Sequence, residues 1–187
     1  PAAKLGRMLA EYQARGEDAP KKVFEVLCEG PARTGKTRGL LHLIDSLCRT
    51  IPGLRVLLVR ETRASLTNSA LQTFEDEVLQ PGDPLLEGPT REHRTSYTYW
   101  NGSVIELGGL DNASRLYSTT YDVVYIVEVF EVSLDSWEKF LRPLSRFHGG
   151  LRWQLLLGDT NPDAETHWAN QRCIEGVCIR LTSTLRD

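Results

Sequence analysis

The octapeptide Gly30-Pro31-Ala32-Arg33-Thr34-Gly35-Lys36-Thr37 fits G-x-x-x-x-G-K-[ST], a pattern that cradles phosphate. It dictates a local shape before any chemistry is considered. The glycines allow a concave turn whose backbone N–H groups point inward at phosphate oxygens. Lys36 places a point charge on the β- and γ-phosphates of a nucleotide. The Thr37 hydroxyl suits a magnesium ion. Such a loop works only between a strand and a helix. Val23-Phe24-Glu25-Val26-Leu27-Cys28 before it is rich in strand formers, and Leu40, Leu41, Ile44 and Leu47 after it recur at helical spacing. The helix beginning near Arg38 turns its positive dipole end toward the same anion, which adds Arg38 to the nucleotide-binding set. A glycine turn that matched by chance would have neither flank.

The rest of the chain continues the alternation. Leu5, Met8, Leu9 and Tyr12 share one helical face ahead of a polar break at Gly16-Glu17-Asp18-Ala19-Pro20. A second buried strand is expected over Leu54–Val59 and a helix over Leu66–Leu79. A hairpin is expected with Thr95–Trp100 and Ser103–Leu107 on either side of Asn101-Gly102. Val123–Val127 is a continuous apolar run, as a central parallel strand requires. A helix over Leu134–Leu144, a strand over Leu151–Leu157, a short helix near Ala164–Asn170 and a strand near Val177–Leu181 complete the series. This order predicts an α/β fold of three layers, a mostly parallel central sheet flanked by helices.

A length of 187 residues suits one domain, 1–187, and the 41% hydrophobic content supplies an ordinary core. The net charge of −3 gives no global basic footprint, so any nucleic-acid contact must come from a local patch or from an assembled ring. Cys28, Cys48, Cys173 and Cys178 show no metal-ligand spacing and read as free thiols, with a reducing, cytosolic setting as the default. No apolar run approaches the ~20 residues of a membrane span, and no signal peptide is visible.

A phosphate loop that supports hydrolysis needs an acid at the end of a neighbouring strand. The candidate is Val123-Val124-Tyr125-Ile126-Val127-Glu128. The usual pattern is an apolar run, then Asp, then Glu. Here Val127 stands at the first acidic place. Glu128 remains, to polarise the attacking water and to stand near the metal. The bland alternative is a surface acid that ends a strand. With Val127 apolar, Thr37, the phosphates and waters would carry most of the Mg²⁺ shell.

Several segments, in this order, resemble the large terminase subunit of tailed bacteriophages. They are the phosphate loop, Arg60-Glu61-Thr62-Arg63-Ala64-Ser65-Leu66, Asn101-Gly102-Ser103 with Gly108-Gly109-Leu110-Asp111, Glu128-Val129-Phe130-Glu131, and Thr160-Asn161-Pro162 with His167-Trp168. The resemblance spans nearly the whole chain. It implies a P-loop NTPase domain of the additional-strand class that hydrolyses ATP with Mg²⁺ to drive double-stranded DNA into a procapsid. It further implies a homo-oligomeric ring on a portal, a small terminase subunit as partner, and a place in the host cytoplasm during virion assembly. The family's C-terminal nuclease domain is expected to be absent from this chain. Val127 and Val129 depart from the acid and small residue common in the family. Arg33 lies one place later than the arginine many members carry, whose role is to act on the γ-phosphate in cis.

Phosphoryl transfer also wants a cation on the transition-state charge. Arg115, in a Gly/Asn/Asp-rich loop, is the first choice, supplied by a neighbouring subunit. Arg33, Arg142 and Arg146 compete. Thr160 and Asn161 end a buried strand and are candidate γ-phosphate sensors, against simple turn chemistry. Asp159 is a weaker candidate for the metal. Gln13 lies where an adenine contact would have to arise. Arg60, Arg63, Arg91, Arg94 and Lys139 are candidate DNA-backbone contacts, or else solvated charges. Two other readings remain: a related nucleic-acid motor of helicase type, and an assembly module that binds nucleotide but hydrolyses it poorly.

Overall fold

The computed structural model describes residues 1–145, 150–161 and 166–183. Helix α1 (Ala2–Ala14) leads to strand β1 (Lys22–Glu29), the phosphate loop and helix α2 (Lys36–Thr50). Strand β2 (Arg55–Arg60) follows. Helix α3 starts as Arg63–Leu66 and runs on through two π-helical segments, Thr67–Leu71 and Phe74–Val78. Then come β3 (Ser96–Thr98), β4 (Val104–Gly109), β5 (Val123–Ile126) and α4 (Leu134–Lys139). Strand β6 (Trp153–Thr160), helix α5 (Trp168–Ile174) and β7 (Ile179–Thr182) close the chain.

The seven strands form one sheet in the order β3-β4-β2-β5-β6-β1-β7. Every pairing but the β3–β4 hairpin is parallel. Strand β6 lies between β1, which carries the phosphate loop, and β5, which carries Glu128. That inserted strand is the additional-strand arrangement.

Strict alternation along the strands builds two cores. Val26, Cys28, Val56, Leu58, Val123, Tyr125, Leu155 and Leu157 face α1, α2 and α3. Leu27, Leu57, Val59, Val124, Ile126 and Leu156 face α4 and α5, where Trp137 and Phe140 fill the layer. Strand β6 is buried at every position, which only a central strand covered on both faces can be.

Three elements depart from expectation. The Asn101-Gly102 turn is not a two-residue loop. Gly102 N–H donates to the Tyr99 carbonyl at 3.1 Å, and Tyr99 N–H donates to the Ser103 carbonyl at 2.8 Å. The Asn101 amide donates instead to the Cys48 carbonyl at 2.8 Å, pinning the turn to the end of α2. The helix expected to continue to Leu144 ends at Lys139, and Pro143 opens a separate 3-10 turn. The last helix starts at Trp168, where His167 Nδ1 accepts the Ala169 N–H at 3.2 Å; residues 162–165 lie outside the described ones.

Candidate nucleotide-binding site

Parallel strands put their C-terminal ends along one edge, and the phosphate loop leaves β1 at that edge. Gly35 adopts φ 74°, open to glycine at no steric cost, and serves as the N-cap of α2. It offers no side-chain cap, so the first N–H groups of the helix stay open toward the cleft. Arg33 also takes a left-handed φ of 64°. Around the loop lies a cleft of about 430 Å³, lined by Ala32, Arg33, Gly35, Lys36, Thr37, Arg38, Glu128 and Asn161, with Thr73 and Glu77 from α3.

Lys36 is 8% exposed, low for a lysine. Its ammonium donates to the carbonyls of Gly30 (2.7 Å) and Pro31 (2.9 Å) and to Asn161 Oδ1 (3.1 Å). The charge is thus held at the mouth of the loop, beside the end of β6. Thr37 Oγ1 donates to Asp159 Oδ2 at 2.5 Å. Asp159 Oδ1 accepts the Glu128 N–H at 3.2 Å. Burial raises the Asp159 carboxyl above its usual range, against the opposing pull of those hydrogen bonds and of Lys36. Burial also raises Glu128, and the Asp159 charge adds to it while Arg60 and Lys36 oppose.

Glu128 itself has φ 55°, a left-handed backbone unusual for a residue with a side chain. The turn breaks the strand and sends the chain into the 3-10 turn Val129–Glu131. Glu131 is clamped there by Arg60, whose Nε and Nη2 reach its two oxygens at 2.8 and 2.6 Å. A bidentate pair of this kind fixes orientation as well as distance. It ties the end of β2 to the turn that aims Glu128.

The fold therefore gathers the loop residues, Arg38, Glu128 and Asn161 at one cleft. Thr160 sits beside them but is 2% exposed, and its hydroxyl donates to the Asn161 carbonyl at 3.1 Å rather than into the cleft. Two predicted residues stand elsewhere. Gln13 spans the Gly150 carbonyl (2.9 Å) and the Arg152 N–H (2.9 Å), at the N-terminal edge of β6 and so at the opposite end of the sheet. Gln13 does not line the phosphate cleft. Arg115 is exposed and lines a second cleft with Arg63, Thr98, Glu106 and Asp111, beside β4. Within one chain it does not line the phosphate cleft. Arg142 is exposed, and Arg146 lies outside the described residues.

The basic residues considered for DNA have partners within the chain. Arg94 is 6% exposed and donates to the carbonyls of Leu85, Leu86, Glu87 and Pro89. Arg91 pairs with Glu75 and Asp76, each at 2.7 Å. Arg63 bonds Thr67 and the Arg94 carbonyl, and Lys139 pairs with Asp135. The sequence did not reveal the bonds of Asp159 to Thr37 and Glu128, the places of Thr73 and Glu77 at the cleft, or the Arg60–Glu131 clamp. Alternation from Leu155 and Leu157 could have placed Asp159 on the α2 face, but not beside Thr37.

No protein-family model and no curated protein matches the sequence. Solved structures do. The large terminase of a thermophilic bacteriophage superposes on 87% of this chain with a TM-score of 0.66 at 17% identity. The same phage's enzyme in complex with ATP-gamma-S covers 90% at a TM-score of 0.61 and 15% identity. The HK97 bacteriophage large terminase covers 96% at a TM-score of 0.55 and 8% identity. The fold is that of phage large terminases. This chain spans only 41%, 40% and 38% of those three longer chains. Among the described residues no helix is long and apolar enough to cross a membrane.

Proposed function

We propose that this chain is the ATPase motor of a machine that packs double-stranded DNA into a viral procapsid. The observation that carries the reading is the meeting of Lys36, Thr37, Glu128 and Asn161 at one open helix N-terminus. The loop amides and Lys36 hold the phosphates. Glu128, partly buried and aimed by the turn after β5, takes a proton from the attacking water. Its raised carboxyl makes it the stronger base for that task. Asn161 touches Lys36 and directly follows β6, so it can feel whether a γ-phosphate has drawn the ammonium away. A hard hydroxyl oxygen from Thr37 with carboxylates beside it fits Mg²⁺, which accepts few protein ligands. When bound, the ion would neutralise charge on the β- and γ-phosphates. A thermophilic phage terminase of this fold is known in complex with ATP-gamma-S, which supports ATP as the ligand.

Arg115 lines no part of the phosphate cleft of its own chain, so its proposed role is on a neighbour in a ring. The ring would sit on a portal, receive DNA through a small terminase subunit, and act in the host cytoplasm during assembly. A second reading, an assembly module that binds ATP and hydrolyses it slowly, is favoured by Val127, apolar and 2% exposed where an acid is usual.

Phosphate release decides between them. The parent protein should release phosphate from ATP in Mg²⁺, and Lys36→Ala should lower turnover by about 10²–10³-fold or more. Its Tm should stay close to the parent's, because among the described residues the Lys36 ammonium bonds to Gly30, Pro31 and Asn161, at the cleft rather than in the core. Turnover within a few-fold of the parent would remove the assignment of the loop. Tight ATP binding with no phosphate release by the parent would favour the assembly module.

A further inference from the structure

The strand that should carry an acid for the metal does not, and the strand beside it does. Val127 follows β5 and packs with Val26, Cys28 and Leu157 in the core under α2. Asp159 occupies the equivalent height on β6. The register pairs Ile126 with Gly158, which sets Val127 next to Asp159, and it pairs Asp159 with Cys28 on β1. Leu155, Leu157 and Asp159 share one face of β6, the face that α2 covers. Because β6 lies between β5 and β1, Asp159 stands one strand nearer the phosphate loop, about 4.8 Å by ordinary strand spacing.

The contacts at Asp159 are those of a support, not of a stray buried charge. The residue is 1% exposed. One carboxylate oxygen takes the Thr37 hydroxyl proton at 2.5 Å and the other takes the Glu128 N–H at 3.2 Å. Tyr125, fully buried, packs in the same core under α2. A threonine hydroxyl has one proton and two lone pairs. With the proton given to Asp159, the lone pairs are left for a cation.

We propose that Asp159 supplies, from β6, the anionic support for Mg²⁺ that Val127 cannot supply from β5. It is a positioning residue. It fixes the Thr37 hydroxyl so that Oγ1 presents lone pairs to the ion, and it lends a negative charge from behind that ligand. The same carboxylate holds the Glu128 backbone, so metal support and the aim of Glu128 share one anchor. The inference rests on the proposed nucleotide site and deepens it.

Equilibrium binding of a fluorescent ATP analogue tests it, in EDTA and across a titration of free Mg²⁺. The parent should bind in EDTA and more tightly with Mg²⁺. Asp159→Asn keeps the shape and removes the charge. It should bind in EDTA within a few-fold of the parent, and need about 10–100-fold more Mg²⁺ for the metal-dependent gain, as loss of a group that orients a metal ligand does. An unchanged Mg²⁺ requirement in Asp159→Asn overturns the proposal and leaves Asp159 a clasp between two loops. Absence of binding by the parent in either condition overturns the nucleotide site itself, and the metal proposal with it. Should Asp159→Asn not fold, a crystal structure of the parent with ADP and Mn²⁺ carries the same decision. Manganese on Thr37 Oγ1 with the Thr37–Asp159 bond kept is expected. Manganese away from Thr37, or a broken Thr37–Asp159 bond, overturns it.

Discussion

Glu128 owes its position to a backbone that a β-strand would not choose. Its left-handed φ of 55° costs on the order of 1 kcal/mol or more for a residue with a side chain, and the Asp159 oxygen on its N–H helps to hold it there. If the carboxylate is the base, Glu128→Gln should bind ATP as the parent does and lose about 10²–10⁴-fold in phosphate release. Because the amide preserves shape, the loss should fall on kcat, and single-turnover kinetics would locate it in the chemical step. A Glu128→Gln protein with normal turnover would move the search to Glu131, although both oxygens of that carboxylate already accept from Arg60. Glu128 and Lys36 were readable from spacing alone, because each belongs to a run whose local structure is set by its neighbours in sequence. Asp159 was not readable as a partner of Thr37. Its face follows from alternation, but its neighbour follows from strand order, which is a property of the whole sheet.

At the scale of elements, the joint between β6 and the turn after β5 is the tightest place around the site. Gly158 leaves no room: a Cβ there would run into the Val129 side chain and come within 3.0 Å of the Trp137 ring. Gly158→Ala should therefore cost about 1–3 kcal/mol through overpacking. A melting curve should show a fall in Tm of roughly 2–10 °C for a chain of this size. Since the displaced Val129 follows Glu128 directly, phosphate release should drop more than the loss of folded protein explains. An unchanged Tm would mean that the Val129 side chain yields freely. The strands were legible as apolar runs, with ends shifted by a few residues, because burial on both faces removes the polar alternation that would otherwise mark them. The hairpin turn falls at Asn101-Gly102 as its sequence suggests, but it is one residue longer than the two-residue loop, and Asn101 is held by a carbonyl on α2, a contact remote in sequence. The π-helical segments of α3 carry no sequence mark, and the same helix places Thr73, between them, and Glu77, within the second, at the cleft. Gln13 shows the same limit, since the helical face of α1 was clear while the sheet edge it reaches was not.

At the scale of the whole molecule, charge and position both bear on the proposed ring. The chain carries a net charge of −3, and Arg60, Arg63, Arg91, Arg94 and Lys139 are engaged within it. A single copy should hold DNA weakly, since affinity for the phosphate backbone comes from free cations that displace counterions. Arg115 is exposed, and within one chain it lies in the cleft beside β4 rather than the cleft that holds Lys36. If a neighbour's Arg115 completes the site, specific activity should rise with protein concentration, and Arg115→Ala should abolish that rise while leaving nucleotide binding intact. The loss should be large, as arginines supplied in trans to phosphoryl transfer contribute about 10³–10⁵-fold. Mixing Arg115→Ala with Glu128→Gln protein gives the sharper reading. Each variant lacks a different half of a shared site, so a mixed ring rebuilds intact sites wherever a Glu128-bearing subunit meets an Arg115-bearing one. Phosphate release should then peak near equal amounts of the two and exceed either alone. No recovery at any ratio, together with activity in the parent that does not depend on concentration, would place the cation in cis. Arg33 would then be the residue to change, because it already lines the phosphate cleft of its own chain.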